Sequence, residues 1–165
     1  MWNLYYDQRL SVNIYVNFRH YYRDRYILYK EYNIVNETLL IAPCGMNCCI
    51  CMAYLRMKNK CPGCRIEANK PVTRVICKIK TCETLTKNKL EFCFGCETFP
   101  CKSLKHLDKR YRTRYSMSMI ENLENIKKLG TGEFLKNERT RWICTECGGT
   151  ICVHKGCCYN CGRKI

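Results

Sequence analysis

Seventeen cysteines, most of them in closely spaced pairs, constrain this 165-residue chain more than any apolar pattern in it. Near the C-terminus, Cys144 and Cys147 stand two residues apart and are followed by glycine, and Cys158 and Cys161 repeat the pattern ten residues later. In such a knuckle both sulfurs converge on one point, and the glycine lets the chain turn with positive φ. Two knuckles on adjacent turns make a tetrahedral four-cysteine zinc site of the ribbon type. His154 and Cys157 are alternate ligands, and Cys152 reads as a small packed hydrophobe.

The other eleven cysteines lie between residues 44 and 101. Ten are candidate ligands. Cys44, Cys48 and Cys51 open the series in the stretch CGMNCCICMAY; Cys61 and Cys64 flank a tight Pro-Gly turn; Cys77, Cys82, Cys93, Cys96 and Cys101 follow. Cys49 is the best candidate for a non-ligand. Two partitions fit the spacing. In one, Cys61, Cys64, Cys77 and Cys82 form a finger-like set while Cys48, Cys51, Cys93 and Cys96 close around it. In the other, a cross-brace, Cys48 and Cys51 join Cys77 and Cys82, and Cys61 and Cys64 join Cys93 and Cys96. The spacing of Cys44, Cys48 and Cys51 also resembles the cluster loop of radical S-adenosylmethionine enzymes. Those enzymes need a large α/β barrel, and the residues after Cys44 lack repeated strand–helix alternation. A plain [4Fe–4S] cluster needs only four thiolates and stays open as an alternative for this lobe.

Metal is preferred to disulfide as the staple. An odd cysteine count cannot pair completely within one chain. The N-terminus lacks the basic, apolar and small-residue sequence of a signal peptide, and no window approaches a membrane span of ~18 apolar residues. The expectation is a cytoplasmic protein holding two or three zinc ions, since C-x2-C pairs among reduced thiols more often bind metal. The formal charge is +15. Each zinc on four thiolates would offset about two of those charges, because ligating cysteines are deprotonated. The remaining excess suits nucleic acid or an acidic protein as partner.

The chain reads as four segments. Residues 1–40 hold 8 of the 12 tyrosines and no cysteine, proline or glycine; they read as an extension, with a strand near residues 12–18 and a helix over 19–32. Residues 41–101 are a cysteine-rich metal-binding lobe with a short helix from about Cys48 to Asn59 and otherwise irregular pieces. Residues 102–142 are helical. Leu104, Leu107, Tyr111 and Tyr115 trace one face of a basic helix, Ser118 and Glu121 fit a capping box, Ile120, Leu123 and Ile126 stripe a second helix, and Gly130 stops it before a third over 131–137. Residues 143–165 are the zinc-ribbon-like knuckles. The fold class expected is a small metal-stapled α+β protein with an irregular N-terminal lobe, short helices and a ribbon-like C-terminal element.

The motifs IAPCGMNCCICMAY, CPGCR, CKIKTC, FCFGCETFPC, NLENIKKLG, RWICTECGG and CVHKGCCYNCG occur in this order between Ile41 and Gly162. In them the chain resembles a cysteine-rich prokaryotic family known as a domain of unknown function. The resemblance implies a small cytosolic metal-binding protein and carries no catalytic residues with it. The residues themselves add none: there are three histidines, no paired H-E-x-x-H motif, no P-loop and no G-x-G-x-x-G. A metal-stapled binding module for nucleic acid or protein is the first expectation. An iron–sulfur or thiol-redox protein is the second, because basic surroundings activate spare thiols.

Overall fold

A computed structural model describes residues 37–165; the strand and helix expected before residue 33 lie outside the described residues. The cysteine-rich lobe begins with a tight turn. The Gly45 N–H donates to the Ala42 carbonyl at 2.9 Å and the Ala42 N–H to the Met46 carbonyl at 2.9 Å. Gly45 takes a φ of +83°, a conformation only glycine adopts without strain. Asn47 then caps a single 3-10 turn, Cys48–Ile50, its side chain accepting from the Cys49 N–H. A one-turn helix α1, Met52–Leu55, follows. The helix expected to run on to Asn59 is thus a 3-10 turn and one α turn, ended where the Arg56 N–H closes on the Met52 carbonyl.

Short helices α2 (Val72–Val75) and α3 (Glu83–Lys87) punctuate the next loops, and a second 3-10 turn spans Cys93–Gly95. The Cys93 N–H donates to the Pro43 carbonyl at 2.9 Å, so this turn is laced to the first. Two long helices carry the core. Helix α4, Lys102–Tyr115, has 14 residues and α5, Met119–Arg141, has 23. The link between them reverses through Ser116 in the left-handed region (φ 48°). Ser118 caps α5 by accepting from the Glu121 N–H, as the capping-box pattern predicts. Buried Asp108 of α4 reaches the same helix start: its Oδ1 accepts from the Ser118 hydroxyl at 2.7 Å and the Ile120 N–H at 3.1 Å, and its Oδ2 pairs with Arg112 at 2.8 Å. Gly130 breaks α5 with φ 79° and ψ 164°. The stop foreseen at Gly130 is therefore a kink, and helix continues past residue 137 to Arg141.

The strands β1 (Ile151–Cys152) and β2 (Cys157–Cys158) form one antiparallel pair, Ile151 opposite Cys158 and Cys152 opposite Cys157. Among the described residues this is the only sheet. The expected α+β balance is thus corrected to an α-rich fold with a minimal hairpin, and the expected short helices include two long ones. Ile41, Leu104, Met117, Met119 and Leu123 are almost fully buried at the centre, where the cysteine lobe meets both helices. Two buried amides and a buried carboxylate fix that contact. Asn122 of α5 donates to the Gly45 carbonyl at 3.0 Å, and Asn47 donates to Glu138 at 3.4 Å.

Candidate metal centres

The hairpin builds the first centre. Cys144 follows the end of α5, with the Ile151 N–H bonded back to the Trp142 carbonyl and the Cys144 N–H to the Gly149 carbonyl. These bonds fold the first knuckle over the second. The sulfurs of Cys144, Cys147, Cys158 and Cys161 all lie within 4.8 Å of one another, and among the described residues they are the one such group of metal-ligating side chains. Cys144 and Cys161 approach to 3.7 Å, Cys147 and Cys158 to 3.5 Å. Zinc–sulfur bonds of about 2.3 Å in a tetrahedron put neighbouring sulfurs about 3.8 Å apart. A disulfide would need roughly 2.05 Å, and all seventeen cysteines are free. The donor set and its spacing fit one four-coordinate metal ion.

The local electrostatics favour thiolates there. The Cys158 thiol is pulled down to about 6, first by the Cys161 N–H, with Asn160 and Cys147 adding to it against burial. The Asn160 N–H donates to Cys158 Sγ at 3.4 Å. Cys161 receives the Arg163 N–H, which lowers it, yet the proton it shares with Cys147, Cys158 and Cys144, together with burial, pushes it up to about 12. A quartet that shares protons in this way releases them when a metal ion takes their place.

The two alternates stand apart from this group. Cys157 is half-buried on β2. His154 is committed elsewhere: its Nδ1 accepts from the Met52 N–H at 3.3 Å. That assigns the proton to Nε2, which lies 2.9 Å from the Tyr111 hydroxyl. Burial, then Arg74, lowers the His154 imidazole, which keeps it neutral. Cys152 is wholly buried on β1.

In the N-terminal lobe six of the ten candidate thiols share one space. Cys44, Cys48, Cys51, Cys61, Cys64 and Cys77 line a single cavity of about 640 Å³. Cys82, Cys93, Cys96 and Cys101 stand outside its lining; burial pushes Cys93 up to about 12, with Cys101, Cys82, Cys96 and Cys77 adding to the rise. The spacing does not show that the Cys93 turn hangs from Pro43, nor that Arg65, next to Cys64, reaches the Glu91 carbonyl and the Phe92 ring just before it.

Within the cavity, the Cys64 N–H donates to Cys48 Sγ at 3.4 Å. Cys64 is pulled down to about 7, chiefly by its hydrogen bond with Cys48 and, against burial, by Lys70, Lys80 and Arg74. Cys48 is correspondingly raised by holding the shared proton and by burial. Burial raises Cys44 and Cys51 as well; the Met46 N–H opposes it at Cys44, and the Ala53 and Tyr54 N–H groups oppose it at Cys51. Cations line the same space: Lys70, Arg74, Lys78, Lys102 and Arg110, with no carboxylate.

The sequence singled out the thiols but not these walls, nor Asn47, Asp108, Asn122 and Glu138. A signal existed for Asp108. It falls in the apolar series Leu104, Asp108, Tyr111, Tyr115, where a carboxylate has to be partnered to be buried. No comparable pattern marks Glu138 or the cavity cations.

No curated protein and no solved structure matches the chain. A family model does match residues 40–106, the stretch that runs from the first turn through all ten N-terminal candidates into α4. Over residues 40–106, less than half of its length, the chain is similar to the family described as Protein of unknown function (DUF3795).

Proposed function

We propose that the protein is a zinc-stapled module that binds nucleic acid through the exposed face of α4. The Cys144, Cys147, Cys158 and Cys161 quartet holds zinc in the manner of a ribbon, and its role is structural because all four positions are filled by protein sulfurs. The binding reading is carried by one observation. Lys102, Lys105, Lys109, Arg110 and Arg114 are all exposed on this helix, and among the described residues none is paired with a carboxylate. Only Arg112 has such a partner, Asp108. Unpaired cations along one helix face attract a phosphate backbone and release its counterions. Tyr111 and Tyr115 do not add stacking platforms: their rings pack edge-on to each other at 5.1 Å and to His154 at 5.6 and 4.9 Å. The expected recognition is therefore of the backbone, with little preference for base sequence.

The test is a titration of zinc-loaded protein with single-stranded and duplex oligonucleotides across a salt series. Binding should weaken with salt, and K105E/K109E should weaken it further and flatten the log–log salt slope by roughly 0.7–0.9 per lost contact. No binding at low salt by fully loaded protein would refute the reading. Equal binding of a polyglutamate of matched charge would replace nucleic acid by an acidic protein surface.

A further inference from the structure

We propose that the cavity in the cysteine-rich lobe binds an iron–sulfur cluster of the [4Fe–4S] class, ligated by Cys44, Cys48, Cys51 and Cys64. The inference does not rest on the nucleic-acid reading, although Lys102 and Arg110 enter both, and it concerns a different set of thiols from the zinc quartet.

Three observations carry it. First, the backbone aims these thiols into one space. Gly45 turns the chain after Cys44; the Cys51 N–H closes the 3-10 turn on the Cys48 carbonyl at 3.0 Å; and the Cys64 N–H rests on Cys48 Sγ. All four line the 640 Å³ cavity. Second, Cys48 and Cys64 meet closely enough to share a proton, but the four thiols are not all gathered on one point as the C-terminal quartet is. Four sulfurs on a single zinc stand about 3.8 Å apart, and among the described residues only the C-terminal quartet is gathered within 4.8 Å. A cluster puts irons and sulfides between its thiolates, so it takes ligands set farther apart around an open centre. Third, the charge is matched. A [4Fe–4S] core of charge about +2 on four thiolates leaves about −2. The cavity wall opposes this with Arg74, Lys70 and Lys78 from one side and Lys102 and Arg110 from α4. Buried Met46 and Met119 are among the apolar groups that close the space. Cys61 and Cys77 complete the lining as thiols beyond the four that a cluster requires.

The experiment is anaerobic reconstitution of the zinc-loaded full chain with sulfide and equal amounts of ferrous and ferric iron, which together make up a core of charge about +2. About four irons and four labile sulfides per chain are expected, with a brown visible absorption and a paramagnetic signal on reduction. C48S/C64S should lower bound iron by about tenfold while keeping the C-terminal zinc, and C82S/C96S should keep the iron. Colourless protein that takes up further zinc instead of iron would overturn the proposal. So would iron that survives C48S/C64S or is lost only from C82S/C96S. Should C48S/C64S also lose its zinc, and with it the fold, the readout passes to R74E/K78E, which leaves every thiol in place. A negative charge on the wall should lower the midpoint potential of the cluster, and an unchanged potential would overturn the assignment.

Discussion

At the scale of single residues, the tightest constraint falls on Gly45. A Cβ there would stand 2.8 Å from the Met119 carbonyl oxygen and 2.9 Å from Leu123 Cγ, at a φ of +83°. The first contact is backbone at the start of α5 and cannot swing aside. Gly45→Ala should therefore cost roughly 2–4 kcal/mol, combining left-handed strain with overpacking; urea unfolding of zinc-saturated protein measures it. The two buried carboxylates act in opposite directions with pH. Burial alone would raise Asp108, but the Ser118 hydroxyl, the Ile120 N–H, Arg112 and the Met119 N–H outweigh it and hold the carboxyl below its ordinary value. Its stabilisation is present above the unfolded value of about 3.9 and disappears as pH falls through the lowered folded one. Glu138 is raised, first by burial, with Asn47, Arg141 and Trp142 only partly offsetting it. An acid raised on folding stabilises while protonated and loses that contribution as pH rises through its folded value. Glu138→Gln keeps an acceptor for Asn47 and removes the charge. It should leave the protein as stable or more stable at pH 7, with the difference shrinking towards pH 4. Asp108→Asn should instead destabilise at pH 7 and converge with wild type in acid. Paired urea titrations at the two pH values separate them, and the same trend in both variants would contradict the assignment.

At the scale of elements, α5 shows why a glycine stands inside a long helix. Each residue turns an ideal helix by about 100°, so Leu135, nine residues beyond Ile126, would point away from it in an unbroken helix. The break at Gly130 brings Phe134, Leu135 and Glu138 back to the buried side with Leu123 and Ile126. A Cβ on Gly130 would meet no atom within 4 Å, so Gly130→Ala tests conformation alone. It should cost roughly 1–2 kcal/mol, or straighten the helix and expose Leu135, which dye binding to apolar surface would report. The break was legible in the sequence, as were α4, the Ser118 cap and the C-terminal quartet, because each rests on neighbours a few residues apart. The cysteine lobe was legible only as a list of ligand types. Its grouping depends on the bond from Cys93 to Pro43 and on the bond from Cys64 to Cys48, contacts between distant stretches that spacing does not encode. His154 makes the same point. Beside two knuckles it resembles an alternate ligand, yet the fold places it between Met52 and Tyr111.

At the scale of the whole described unit, that placement joins the two cysteine regions. The hairpin between the knuckles sends the Val153 N–H to the Ile50 carbonyl at 3.0 Å, and His154 takes the Met52 N–H while meeting the Tyr111 hydroxyl. Ile50 and Met52 flank Cys51. Cys51, one of the thiols that line the cavity, is thus flanked by residues held by the segment between the C-terminal knuckles. A hairpin with two residues per strand is not stable by itself in water, so a metal ion on the four knuckle thiols, as proposed above, would supply its order. Removing that metal should loosen both ends. With a chelator strong enough to strip the quartet, amide exchange should accelerate at Val153 and, through the lost bonds, at Met52 and Cys51, while α5 amides near Leu123, which are bonded within their own helix, should change far less. C144S/C161S should reproduce the effect without chelator. His154→Leu removes the acceptor for the Met52 N–H and the partner of Tyr111 but leaves the four thiols in place. In that variant the Met52 amide should exchange fast even with zinc bound, and chelation should add little there. Equal protection at Met52 with and without metal in the unsubstituted protein would show that the two cysteine regions are independent.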